Sequence, residues 1–480
     1  MGGDSLLRAA AFGALAMWTC GCGADDDDAS VDGGSDGGAA AGAATTGGAL
    51  PRAESTNHWT WLGGDLRSTY HAAGETVLSV QSAPRLQEAW SIQLSASVNG
   101  AAAVVGPDLY VATILDVVKL DAETGDMRWR YTPAGTSSIT YADGVIYNHS
   151  YQGDLYARDA DGGNPMWRLM RISEYGASGF ASPLVFDRYV IVGTSSNEEE
   201  RVSSDARFRG EVIAFDKDDG EELWRHMIPD DNRNGSPVWS SPSVDVDAGM
   251  IFVTTGNNYT EQAGGSSDAI LALDLATGDR LWTTQLTADD VYTQLNPQGP
   301  DYDFGTNPIL FDAVVDGEMT ELVGAGQKSG LFHALRRDDG EIVWSTTISR
   351  GGSIGGIINN GAHDGERILV ASHTLSRDQP PMGTLMALDP GTGDVLWQKD
   401  HEGMIWAPIT VGGGVGFVAF DRLLMAFDAN NGDELWSIEL EGSISSAPVI
   451  SDGWVFVGSG VTFGGATPAR SYHAFKVMPE

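Results

Sequence analysis

The chain has 480 residues, with 28 basic against 66 acidic side chains and a formal net charge of −38. So negative a balance works against binding nucleic acid or an anionic membrane surface, both of which would repel it. The acids are spread along the chain rather than gathered, which suits a solvated surface, and 62 glycines with few helix-period stretches suit many tight turns.

At the N-terminus Arg8 precedes the apolar stretch Ala9 to Trp18, which runs into Cys20-Gly21-Cys22. The stretch is too short to span a bilayer as a stable helix and has the shape of a secretory signal. Cysteine just after it resembles the lipobox of bacterial lipoproteins, which implies a signal peptide over 1–22 and lipidation at either Cys20 or Cys22. Asp25 to Asp28 and the Gly/Ala/Ser/Thr tract that follows make 23–57 a flexible linker unable to build a core. Both cysteines lie in this leader. The remainder therefore has no disulfide, no thiolate metal site and no Cys-x-x-Cys-His haem attachment.

From about residue 58 onward one small pattern recurs. Val117-Val118-Lys119-Leu120-Asp121 is followed by Gly125 and Trp129, and Val212 to Asp216 by Gly220 and Trp224. It returns as Ile270 to Asp274, Gly278 and Trp282, as Met386 to Asp389, Gly393 and Trp397, and as Met425 to Asp428, Gly432 and Trp436, with weaker copies ending at Trp167 and Trp344. Each copy reads as an apolar strand, a turn opened by Asp and closed by Gly, and a second strand carrying Trp. A period of roughly 40 to 60 residues built from short strands indicates a propeller or an array.

The ends of the chain choose between them. Trp90 has no such strand before it, and the last apolar strand, Tyr472 to Lys476, has no Trp after it. Joining the two completes eight units and removes the free edges of an open array. The expected fold is all-β: one eight-bladed β-propeller over 58–480, closed by its N- and C-terminal strands. The eight tryptophans are plates packed between blades.

Conventional catalytic motifs are missing. Gly-x-Ser-x-Gly occurs around Ser35 and Ser353, but neither opens a helix as a nucleophile elbow must. No Gly-rich loop joins a strand to a helix, and the nine histidines lack metal-ligand spacing. The central channel is left as the default site.

The repeat Ala387 to Trp397 resembles the tryptophan-docking repeat of pyrroloquinoline quinone (PQQ) dehydrogenases, and scaffold lipoproteins of the outer-membrane assembly machinery resemble it too. The segments between repeats are more particular. Gly63 to Tyr70, and Val238 to Pro242 with Thr255 to Tyr259, are similar to quinoprotein alcohol dehydrogenases. Gly299 to Gly305, Gly326 to Gly330, Gly355-Gly356-Ile357 and Phe208-Arg209-Gly210 look like the polyvinyl-alcohol dehydrogenase branch.

The resemblance implies a site. Trp239, outside the eight-fold series, matches the flat floor beneath the quinone. Asn257 matches a calcium ligand, although Asn after Gly also suits a tight turn. Glu199 matches the carboxylate calcium ligand, with Glu198 a near alternative, and oxygen donors of this kind suit a hard cation. Lys328, read as lying in an apolar strand before Leu331-Phe332, matches a cation that contacts the quinone oxygens. Arg209 is a further cofactor contact. A carboxylate must take the alcohol proton; Asp268 is the match in sequence order, with Asp301 and Asp303 as alternatives.

Two departures stand against that reading. Asp205-Ala206-Arg207 replaces an adjacent cysteine pair, and Asn359-Asn360-Gly361 replaces an expected Trp-Gly. Three functions are therefore carried forward. The first is a PQQ- and calcium-dependent alcohol dehydrogenase without haem. It would be a monomer exported to the periplasm or outer membrane of a bacterium, oxidising secondary or polymeric alcohols and passing electrons to a separate periplasmic carrier. The second is a non-catalytic lipoprotein scaffold. The third is a decayed relative that keeps PQQ or calcium as a structural element.

Overall fold

The computed structural model describes residues 58–480, apart from 133–136, 176–177, 197–206, 230–232, 261–263, 296–298, 377–378 and 461–465. The leader with Cys20 and Cys22, the linker, and the expected ligand Glu199 lie outside the described residues.

Among the described residues, strands form eight four-stranded antiparallel sheets, and helix is limited to a single 3-10 turn at Ala83–Arg85. Seven sheets take consecutive strands in order from the channel outward. The eighth is composite: Val449–Ser451, Trp454–Gly458 and Ser471–Val477 are completed by Leu86–Gln93 from the other end of the chain. That pairing, Leu86 opposite Val477 through Gln93 opposite Ser471, is the ring closure expected from the ends. Numbering blades from Ala103–Val105 makes the composite sheet blade 8.

The docking repeat explains how neighbouring blades adhere. The indole Nε1 of Trp90, Trp224, Trp282 and Trp397 donates to a turn carbonyl of the next blade, at Ala122, Leu275, Arg337 and Ala429, over 2.9–3.1 Å. The turn glycine lies under the ring: a Cβ on Gly278 would stand 2.5 Å from Trp224, and the φ of +74° also favours glycine. Each buried indole contributes at most about 5 kcal/mol. At the seam, where chain continuity is broken, Trp436 instead meets Phe475 edge-on at 5.1 Å.

Two inner features tie the ring together. Residues 59–75 run inside it and bond each blade in turn. Trp59 and Thr60 carbonyls accept from Val104 and Tyr141, and the Trp61 indole donates to Pro183. Leu66, Arg67, Thr69 and Tyr70 carbonyls accept from Val244, Leu310, His363 and Val411, and Glu75 Oε2 accepts from Gly453. Trp59 and Tyr70 are wholly buried there. Second, residues just ahead of successive innermost strands form a chain of hydrogen bonds. The amides of Ala101, Ser138, Ser182, Ser241 and Asn307 donate to the side-chain oxygens of Ser138, Ser182, Ser241, Asn307 and Asn360, over 2.5–3.0 Å. Asn360, one of the departures noted above, is thus a blade-to-blade link.

Candidate functional site

In an up-and-down blade, the turn from second to third strand and the crossing to the next blade emerge on the same face. Trp239 and the pair Asp301 and Asp303 sit on crossings, into blades 4 and 5 respectively. Asn257 and Asp268 sit on the second-to-third turn of blade 4, and Lys328 on that of blade 5. Six of the expected residues therefore share one face of two adjacent blades. Lys328 lies in the turn between Glu318–Gly326 and Leu331–Arg336, not in a strand as the sequence suggested; Gly330, at φ +83°, closes that turn.

Lys328 organises the cluster. Its Nζ donates to Asp301 Oδ1 at 2.7 Å and Asp303 Oδ2 at 2.9 Å, and it stands 5.7 Å from the centre of the Trp239 indole. All three charged side chains are at least nine-tenths buried. Asp303 Oδ1 accepts the Asn257 backbone N–H at 2.7 Å, which welds the two blades across the crossing. Trp239 is only partly buried. Gly305 backs its ring so closely that no side chain fits between. A partly exposed indole backed by a glycine and bordered by an ammonium is a platform on which a flat molecule can lie.

Among the described residues, two groups beside this platform have oxygens without partners. The Asn257 amide nitrogen donates to the Tyr292 carbonyl at 2.6 Å and to the Asn258 carbonyl at 2.9 Å, which fixes the carboxamide orientation. Its Oδ1 is buried and has no hydrogen bond. Asp268 is fully buried, both carboxyl oxygens lack a partner, and its φ of +50° is rare for a residue other than glycine. Burial, then the neighbouring Asp303, Asp290 and Asp301, push its carboxyl well above the usual range against a smaller opposing pull from Lys328. Asp290, which sequence reasoning missed, is also raised, first by burial, although it accepts amides from Tyr292 and Tyr302. Nothing in Asp289-Asp290-Val291 marks it in the sequence.

Arg209 Nη2 donates to the Pro229 carbonyl at 2.9 Å, and its guanidinium lies over Tyr175 at 5.8 Å. Among the described residues, no three His, Cys, Asp or Glu side chains gather as a metal site. The orphaned Asn257 and Asp268 oxygens nevertheless fit a hard cation, and their surroundings fit the quinone that such a cation would accompany.

The family described as outer membrane protein assembly factor BamB (PQQ_2) matches residues 63–346 and 381–466. A polyvinylalcohol dehydrogenase from a Pseudomonas species is 30% identical over 332 residues, which cover 61% of this chain and 52% of that protein. Another, from a Sphingopyxis species, is 30% identical over 368 residues, covering 67% and 55%. The chain thus spans about half the length of these relatives. The crystal structure of quinohemoprotein alcohol dehydrogenase from Comamonas testosteroni superposes with a TM-score of 0.73 at 20% identity, covering 88% of this chain and 82% of the other; the likeness is one of fold.

Proposed function

The chain belongs to the PQQ_2 repeat family, and on that premise we propose that it is a PQQ- and calcium-dependent dehydrogenase of secondary or polymeric alcohols. One observation carries the reading: the partly exposed Trp239 indole bordered by Lys328 and its two aspartates. The names of the two polyvinylalcohol dehydrogenases support the substrate class.

In this reading Trp239 is the floor on which the quinone lies, and Lys328 holds its oxygens. Arg209 steadies the adjoining loop, with a direct cofactor contact kept as an alternative. Asn257 and Glu199 hold the cation. When bound, PQQ supplies the two-electron acceptor and calcium the Lewis acid that polarises it. The residues do the rest. Asp303 has both oxygens engaged, by Asn257 and Lys328, and Asp268 is shut in and pushed up. Asp301, held by Lys328, is therefore the carboxylate assigned to take the hydroxyl proton, and the carbinol carbon would give up its hydride to the bound quinone. The buried surround excludes water from that transfer. Electrons then pass to a separate carrier, and the leader places the protein outside the cytoplasm, tethered through Cys20 or Cys22.

The test is a PQQ titration of the full-length chain in calcium, followed by quenching of tryptophan fluorescence and then by dye reduction with secondary alcohols. Stoichiometric quenching that Trp239→Ala abolishes, with alcohol-dependent reduction, supports the dehydrogenase. Binding without turnover points to the decayed relative. Absence of binding leaves a scaffold, the reading favoured by the description of the matched family.

A further inference from the structure

The charge balance around Lys328 does not close. Four buried carboxyls, Asp268, Asp290, Asp301 and Asp303, surround one ammonium. Asp301 and Asp303 are answered by Lys328, and Asp290 accepts two backbone amides. Among the described residues, Asp268 alone of the four has no partner on either oxygen. A carboxylate stripped of water without a partner is among the costliest arrangements a fold can hold. This one is held deliberately: a left-handed backbone at Asp268 is fixed by its amide on the Gly256 carbonyl at 3.1 Å and its carbonyl on the Leu286 amide at 2.9 Å.

The same turn presents the other orphan. Asp268 bonds Gly256, the residue before Asn257, so the two unsatisfied side chains stand on the facing limbs of one connection, between Met250–Thr254 and Ala269–Asp274. Asn257 cannot turn its nitrogen inward because both amide protons are committed to carbonyls. A carboxylate and a carboxamide oxygen, each buried and each without a hydrogen bond, are the donor types that hard cations select.

We propose that Asp268 is a direct oxygen ligand, beside Asn257 Oδ1, of the cation bound at this site. The inference deepens the function proposed above and rests on it for the kind of ion. It gives Asp268 the task of ligand in place of the expected one of base.

The test uses the full-length chain stripped with chelator, in wild-type, Asp268→Asn and Asp290→Asn forms, without PQQ. Terbium, an oxygen-seeking ion excited through nearby tryptophan, reports binding by luminescence, and calcium is read by competition and by the rise in melting temperature. The wild type is expected to show saturable emission. Asp268→Asn should weaken affinity about 100-fold, the upper end of what changes around a metal cost. Asp290→Asn, which removes a nearby charge but no ligand, should stay within about threefold. Asp268→Asn should also melt higher than the wild type when both are cation-free, because it removes the uncompensated carboxyl, and should lose the calcium-induced rise.

The inference is overturned if the wild type binds neither ion, if Asp268→Asn binds as tightly as the wild type, or if Asp290→Asn weakens binding as much. Its fate is separate from that of the dehydrogenase. Cation binding through Asp268 without any response to PQQ would keep the ligand and discard the enzyme. PQQ turnover with unchanged cation affinity in Asp268→Asn would do the reverse.

Discussion

Gly305 lies flat against the indole of Trp239: a Cβ at that glycine would stand 2.1 Å from Cη2 of the ring. The requirement is for space, and the indole is held in place by the absence of a side chain. Gly305→Ala should tilt the platform and weaken PQQ binding at least about tenfold while the far-ultraviolet spectrum stays unchanged, because only one loop contact is overfilled. Fluorescence quenching against PQQ concentration measures it.

Lys328 compensates two carboxylates in a dry site. Lys328→Met strands both, and removing one partner of a buried pair costs about 3–5 kcal/mol. The urea midpoint should fall accordingly. The triple change Lys328→Met, Asp301→Asn, Asp303→Asn should recover most of the loss, since no charge is then left alone. A triple variant as unstable as the single one would show that packing of the lysine stem, not charge, sets the cost.

How far the sequence led is clear from these residues. Asp, Gly and Trp of the docking repeat obey local turn chemistry, so the blades could be counted. Even blade 5, where Arg336 replaces the turn Asp, keeps Gly340 under Trp282. Trp239 stood out because it broke the series. The ion pairs of Lys328 with Asp301 and Asp303 were not legible, because ring geometry brings together a crossing and a turn that no periodicity relates. The path of residues 59–75 was hidden for the same reason. Its bonds go to eight different blades, and its own sequence has no repeat.

Three buried histidines work against the fold in acid. Burial holds His149, His333 and His363 down at about 4, against an ordinary value near 6.5. In the unfolded chain each takes a proton as pH falls below about 6.5, whereas in the folded chain each resists until about 4. Stability is therefore full above that window and is lost as pH drops through it, on the order of 3 kcal/mol per histidine. Asp268 and Asp290 work in the opposite direction, their raised carboxyls favouring the folded state as pH falls. A single replacement isolates one term. His333→Gln should flatten the fall in urea midpoint between pH 7 and pH 4.5 relative to the wild type, and an unchanged slope would contradict the assignment.

Tyr70 is wholly buried inside the ring, and its hydroxyl accepts the Asn307 amide at 3.0 Å. Asn307 is itself a link in the chain of bonds between blades. Tyr70→Phe leaves that donor without a partner and should cost about 1–3 kcal/mol. A thermal melt reads the loss, and PQQ binding should be retained because the hydroxyl lies outside the Lys328 cluster.

The composite eighth blade also dictates an order of events during synthesis. Leu86–Gln93 leaves the ribosome early and can find no lasting partner until Ser471–Val477 has followed. The seven continuous blades can stack as they emerge, but the lock that makes them a ring waits for nearly the whole chain, a closure of very high sequence separation. Until then the early strand and the flank of the last blade are both unpaired edges, exposed to neighbouring chains. Slow closure and a need for shielding in the nascent state are built into this topology, and a permuted chain in which Ser471–Val477 is joined directly to Leu86–Gln93, with its new ends opened between two other blades, would trade that wait for a hairpin.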